Sequence, residues 1–279
     1  MRLPCGGLAL AVALCLAAPV SPARAGAESE WSSPSGTGVR LMAGGSGEAI
    51  AGGIEIRLAP GWKTYWRYPG DSGVPPRFDW SGSTNVASVE VEWPAPMRFE
   101  DGSGSFSIGY KRDVILPFRV VPKVADQPVA LRLGLDFAVC EKICQPAFAQ
   151  LALELPAGGG TPHPAVVAAE AAVPDPAPIA APGATGIDAV TLDAAGGPPT
   201  IRVEARVADG ARADLFVEGP NEDWALPLPS REDLGNGRAR FTLPVDGVPR
   251  GADIRAATLR LTLIDAGRAI EVTSPLSGR

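Results

Sequence analysis

Apolar and charged residues alternate at period two along much of the chain: residues 54–58 read IEIRL and residues 89–93 read VEVEW. Successive side chains of a strand point to opposite faces, so this pattern predicts strands with one buried face. Residues 114–121 (VILPFRVV) predict another strand, in which Pro117 implies a sheet edge or a bulge. The aromatic-rich run at 60–80 reads as a strand that enters a Pro/Gly loop. At period two its Trp62 and Trp66 share one face and Tyr65 takes the other. A second series of strand patterns follows at 201–207, 215–218, 240–243, 259–263 and 270–272. Short strands separated by turns predict an all-β chain built from two β-sandwiches.

The alternation is longest just before residues 140–144 (CEKIC). Leu131, Leu133, Leu135, Phe137 and Val139 are apolar, while Arg132, Asp136 and Cys140 fall on the other face. Residues 151–155 (LALEL) again place leucine at the odd positions and Glu154 outward. Pairing the two strands about Lys142 sets Leu133 against Leu151. It leaves Glu141, Lys142 and Ile143 as a three-residue loop with Cys140 and Cys144 across from each other, both expected to face solvent.

Composition divides the chain further. Residues 1–25 combine Arg2, an apolar run and an Ala23-Arg24-Ala25 cleavage signature, which predicts an export signal carrying away Cys5 and Cys15. Leu14 before Cys15 argues against a lipid anchor there. Residues 156–187 hold seven prolines and no aromatic residue, which predicts a Pro/Ala/Gly-rich, semi-rigid linker with a short helix at 165–172. The expected order is therefore signal 1–25, cysteine-bearing sandwich 26–155, linker 156–187 and second sandwich 188–279. The second part has neither cysteine nor histidine and reads as a scaffold or docking module. With 25 basic and 31 acidic residues the net charge is −6, which argues against nucleic acid as the main partner. Past the leader, no run approaches the roughly 18 apolar residues of a membrane span.

Cys140 and Cys144 admit three chemistries. A structural disulfide is the default for an exported chain, yet on the loop-entropy model so small a ring stabilises by only about 2 kcal/mol. A zinc clip needs four ligands, and the lone histidine, His163, lies between two prolines of the linker. Copper(I) needs two or three soft ligands, which Cys140 and Cys144 with a methionine such as Met97 could supply. The third chemistry is thiol–disulfide exchange, which requires access to the sulfurs. A hairpin supplies no helix dipole, and Lys142 and Glu141 oppose each other, so no strong thiolate activation is expected. The isolated histidine makes a hydrolytic triad a poor reading.

The ordered segments PGWKTYWRYPGDSGVPP, VEWPAPMRFEDGSGSFSIGYKRDVILPF and CEKICQP resemble the N-terminal periplasmic domain of the DsbD family of thiol:disulfide interchange proteins. The three-residue cysteine spacing is similar to that of the ScsB branch, associated with suppression of copper sensitivity. The likeness covers roughly residues 30–156, and the second domain is similar in kind to an extra sandwich of that branch. The resemblance implies an immunoglobulin-like domain without a cofactor, a thiol:disulfide oxidoreductase of the periplasm. Its cysteine pair would pass electrons from a membrane electron-transfer protein to thioredoxin-like acceptors. It implies further that Cys144 forms the mixed disulfide and Cys140 resolves it. The family's cap loop maps onto Glu100 and Asp101; its aromatic position is Ser103 here, leaving Phe99 or Phe106 to shield the sulfurs. From its position on the strand, Tyr65 is a candidate to cap the cysteines or to form a contact surface beside them, the alternative being a place in the core. Family members continue into a transmembrane domain and a thioredoxin-like domain, so this sequence is expected to be a stand-alone version or an amino-terminal portion. The alternative from another class is a copper(I)-binding or docking protein of copper stress, without redox turnover.

Overall fold

The structure is a computed structural model, described here for residues 26–45, 49–100, 104–157, 160–194, 197–209 and 212–278. The expected export signal, Asp101 and Ser103 lie outside the described residues. The first sandwich comprises β1 (Ala27–Glu28), β2 (Gly38–Gly44), β3 (Ile50–Arg57), β4 (Lys63–Gly70), β5 (Arg77–Asp79) and β6 (Val86–Val91). It continues through β7 (Met97–Glu100), β8 (Phe106–Tyr110), β9 (Val114–Pro122), β10 (Val129–Cys140) and β11 (Cys144–Leu155). One sheet runs β1-β2-β3-β9-β6; the other runs β11-β10-β4-β8-β7, with β5 also on β10.

Alternation drives the packing between these sheets. Leu131, Leu135 and Val139 of β10 meet Leu41, Ile54, Leu116 and Phe118 of the opposite sheet in one core, each at most 1% exposed. The β10–β11 hairpin has the register expected from parity, with Leu133 opposite Leu151 and Cys140 opposite Cys144.

Pro117 departs from expectation, because β9 lies inside its sheet between β3 and β6. The Pro117 carbonyl accepts from Glu92 N at 2.7 Å, so the proline nitrogen points the same way, toward β6. β6 ends at Val91, paired with Phe118, so the missing N–H falls where that ladder has run out.

After α1 (Pro164–Glu170) and β12 (Asp175–Pro176), the second sandwich holds β13 (Gly186–Asp193), β14 (Thr200–Arg206), β15 (Asp214–Glu218) and β16 (Ser230–Gly235). β17 (Arg238–Pro244), β18 (Thr258–Asp265), β19 (Arg268–Pro275) and β20 (Ser277–Gly278) complete it. Its sheets run β12-β19-β18-β15 and β16-β17-β14-β13-β20 around a core that includes Ile201, Val203, Phe241, Leu259 and Leu261.

The proline-rich stretch between the sandwiches is docked rather than strung through solvent. His163 caps α1, accepting from Ala165 N, and its Nε2 lies 3.0 Å from Glu28. Val166 is 1% exposed, and Ala177 and Ile179 pack on the second core. Small apolar side chains that cannot form a core alone can still fill grooves on existing ones. Gly53 provides one such groove: a Cβ there would meet Ile115 Cγ2 at 2.6 Å and Val166 Cγ2 at 3.2 Å. Gly53→Val should overpack this site and lower unfolding stability by about 1–3 kcal/mol in urea titration; an unchanged midpoint would mean that α1 is not packed there.

Candidate functional site: a capped cysteine hairpin

The site is assembled by three strands of one sheet. Cys140 ends β10, Cys144 begins β11, and Lys63 of β4 is the cross-strand partner of Cys140 on its other side. The even positions of β10 do face away from the core, as parity requires, but Cys140 is only 7% exposed. The expectation that it faces solvent is therefore corrected: it is covered from outside by Tyr65 and Phe99, which with Ala138 form a small separate apolar cluster. Cys144 is exposed.

Both cysteines are free thiols, with Cys144 Sγ directed at Cys140 Sγ at 2.8 Å. Tyr65 Oη lies 2.9 Å from Cys144 Sγ. Tyr65 is 2% exposed, so it is a covering residue in contact with the sulfurs rather than a surface for partners. Trp66, on the opposite parity, is fully buried in the main core.

Phe99 reaches the cluster from β7, on the far side of β8. Between them stands Gly109, paired with Tyr65 on one side and Met97 on the other. A Cβ there would meet the Thr64 carbonyl oxygen at 2.0 Å, so glycine allows β8 to lie close against β4. Lys63 Nζ and Lys111 Nζ sit 5.1 Å and 5.3 Å from the Phe99 ring centroid, within range of cation–π attraction. Phe106 is 38% exposed beneath Arg98 and is not part of the cluster, so of the two candidate shields the structure brings Phe99 to the cysteines. Glu100 ends β7 exposed.

Burial pushes the Cys140 thiol up, and the contact with Cys144 adds to this; the Tyr65 hydrogen bond and the Lys63 charge pull the other way. Burial, followed by the hydrogen bonds to Cys144 and Cys140, raises Tyr65, so it remains a neutral phenol able to donate to a thiolate. Lys63 is a residue that sequence reasoning missed, having looked to Lys142. It stands two positions before Tyr65, hence on the same face of β4, and that parity was the available signal.

Neither of the further ligands considered for a metal joins the cysteines through a contact in the structure. His163 is engaged at the start of α1, Met97 lines a groove with Tyr110, Ala169 and Ala172, and among the described residues no group of three or more His, Cys, Asp and Glu could hold an ion.

A sandwich whose cysteine hairpin is roofed by aromatic residues defines a recognisable class. Residues 34–156 match the family described as thiol:disulfide interchange protein DsbD, N-terminal, and this sandwich is a member of that domain family and a module of the thiol:disulfide interchange kind. The fold of the whole is similar to that in the crystal structure of the N-terminal periplasmic domain of ScsB from Proteus mirabilis. The TM-score is 0.69 at 24% identity, over 91% of this chain and 99% of that one. Residues 172–278 match a family described as a domain of unknown function. No curated protein matches the chain.

Tyr65→Phe keeps the cover and removes the hydroxyl. Since that hydroxyl lowers the Cys140 pKa, the variant should titrate Cys140 at higher pH, read from ultraviolet thiolate absorbance, with stability changed by no more than about 1.5 kcal/mol. An unshifted titration would remove Tyr65 from the electrostatics of the pair. Tyr65→Ala, by contrast, should lower the melting temperature, because it empties a buried position.

Proposed function

We propose that Cys140 and Cys144 carry electrons in the periplasm between a reductant delivered through the membrane and thioredoxin-like acceptors, with Cys144 as the exchanging and Cys140 as the resolving cysteine. The observation that carries this is the asymmetry of the pair: Cys144 is an exposed residue, while its cross-strand partner Cys140, 2.8 Å away between the sulfurs, is covered. A bimolecular exchange needs the accessible sulfur, whereas an intramolecular resolution does not. The exposed side chain of Ile143, next to Cys144, adds an apolar contact for a partner.

In the reducing direction a partner thiolate attacks Cys144 of the Cys140–Cys144 disulfide. A mixed disulfide forms, and Cys140 leaves as a thiolate and takes up a proton. The partner's second thiol then attacks its own sulfur in the mixed disulfide, releasing Cys144 reduced and closing the partner's disulfide. In the donating direction the Cys144 thiolate attacks an acceptor disulfide, one acceptor sulfur leaves, and Cys140 attacks Cys144 to free the other. Two electrons pass in each cycle.

The environment grades these steps. A high thiol pKa makes Cys140 a slow leaving group, which protects the disulfide from adventitious thiols. Tyr65 and Lys63 partly offset that burial, and they act where charge develops on Cys140. The resolving step should therefore accelerate as pH rises toward the Cys140 pKa, as its thiolate fraction grows about tenfold per unit.

Cys140→Ser should trap a mixed disulfide through Cys144 with a thioredoxin-like partner, visible on non-reducing gels, whereas Cys144→Ser should trap little. Equal trapping by both variants would contradict the assignment. A reduction potential below about −300 mV would mark the pair as an inert staple and end the redox reading.

A further inference from the structure

The strands that roof Cys140 are also the strands gripped by the second sandwich. β4 carries Tyr65 and, immediately after it, Trp66, Arg67 and Tyr68; β7 carries Phe99 and, immediately before it, Arg98. Arg67 makes a two-pronged pair with Glu218, Nε to Oε1 at 2.9 Å and Nη2 to Oε2 at 2.8 Å, and also meets Glu271. The Tyr68 hydroxyl donates to the Leu226 carbonyl. Arg98 Nη2 donates to Asp214 Oδ1 at 2.7 Å, and its Nη1 to the Pro229 carbonyl at 3.3 Å.

The grip is regular on the other side too. Asp214, Phe216 and Glu218 alternate along β15, while Leu215 and Val217 between them enter the second core. Phe216 is fully buried as part of the first core, its ring 5.8 Å from Trp66. The second sandwich therefore plugs the first and ties down both roof strands in one contact.

β7 has the greater need of such a tie. It is a four-residue edge strand paired, among the described residues, only with β8. A strand end held by few ladder bonds opens at low cost unless tertiary contacts hold it, and every outward movement of β7 withdraws Phe99 from Cys140.

We infer that the second sandwich is a clamp that holds the Tyr65–Phe99 roof shut over Cys140, with Arg98 and Arg67 as positioning residues acting through the strands that carry the roof. The inference rests on the proposed redox role of the pair for what the roof serves. Its physical content, control of access to the inner sulfur, stands apart from turnover. In an assembly that loosened this contact, Cys140 would become open to reagents and to a partner's thiolate.

The test uses the reduced full chain carrying Cys144→Ser, with alkylation of Cys140 by iodoacetamide located by peptide mass. Arg98→Met should speed that alkylation about tenfold. Phe99→Ala should do the same, and the Arg98→Met/Phe99→Ala double variant should be no faster than Phe99→Ala alone, because Arg98 acts through Phe99. Arg240→Met, which removes ion pairs with Glu204 and Glu232 inside the second sandwich, should leave the rate unchanged. If Arg98→Met does not fold, Asp214→Asn tests the same tether with its shape retained. An unchanged rate in the tether variant, or rates that multiply in the double variant, overturns the clamp. Alkylation needs no electron transfer, so a working clamp over an inert pair and a redox-active pair without a clamp give different results.

Discussion

Everything about the site depends on the register at the end of β10. Cys140 is paired with Cys144 on one side and with Lys63 on the other, so a single strand position fixes the sulfur, its partner and a cation. A slip of one residue would send Cys140 into the core and Val139 out under the roof. What forbids the slip is the apolar row from Leu131 to Val139, each side chain contributing about 1.5–3 kcal/mol on burial. The chemistry at the tip is thus held in place by packing along the strand behind it.

Alternation makes a hairpin legible and its surroundings much less so. The three-residue loop, the pairing of Leu133 with Leu151 and the opposite facing of Tyr65 and Trp66 all follow from period two. The burial of Cys140 does not, because its roof comes from Phe99, a residue about forty positions earlier that reaches over Gly109 from another strand. Parity tells which face a side chain takes; it does not tell whether that face is covered. Pro117 shows the same limit, since its placement inside a sheet depends on where a neighbouring strand ends. The contact between the sandwiches did leave a trace: Phe216 stands between Asp214 and Glu218 on the polar face of its strand. An aromatic residue on a face of carboxylates is a poor fit to solvent and a good one to a neighbour.

The interface joins apolar and ionic contacts with different effects. Phe216, Leu228 and Ile264 supply area against the first core. The arginines supply geometry: Glu218 and Glu271 hold Arg67 charged against the opposing effect of burial, and burial raises the Asp214 carboxyl while Arg98 draws it down. Partly buried ion pairs stabilise little once desolvation is counted, and their best use is to fix one arrangement among several of similar area. Here the fixed arrangement is the one that places β4 and β7 over the sulfurs.

Phe216 also sets an order of events. It belongs to the first core but lies in β15, beyond the whole of the first sandwich in the chain. A chain emerging from its amino terminus presents both cysteines before the residue that completes their own domain's packing has been made. During that interval the hairpin can exist while the roof strands lack their tether, so the inner thiol is open before the second sandwich has docked.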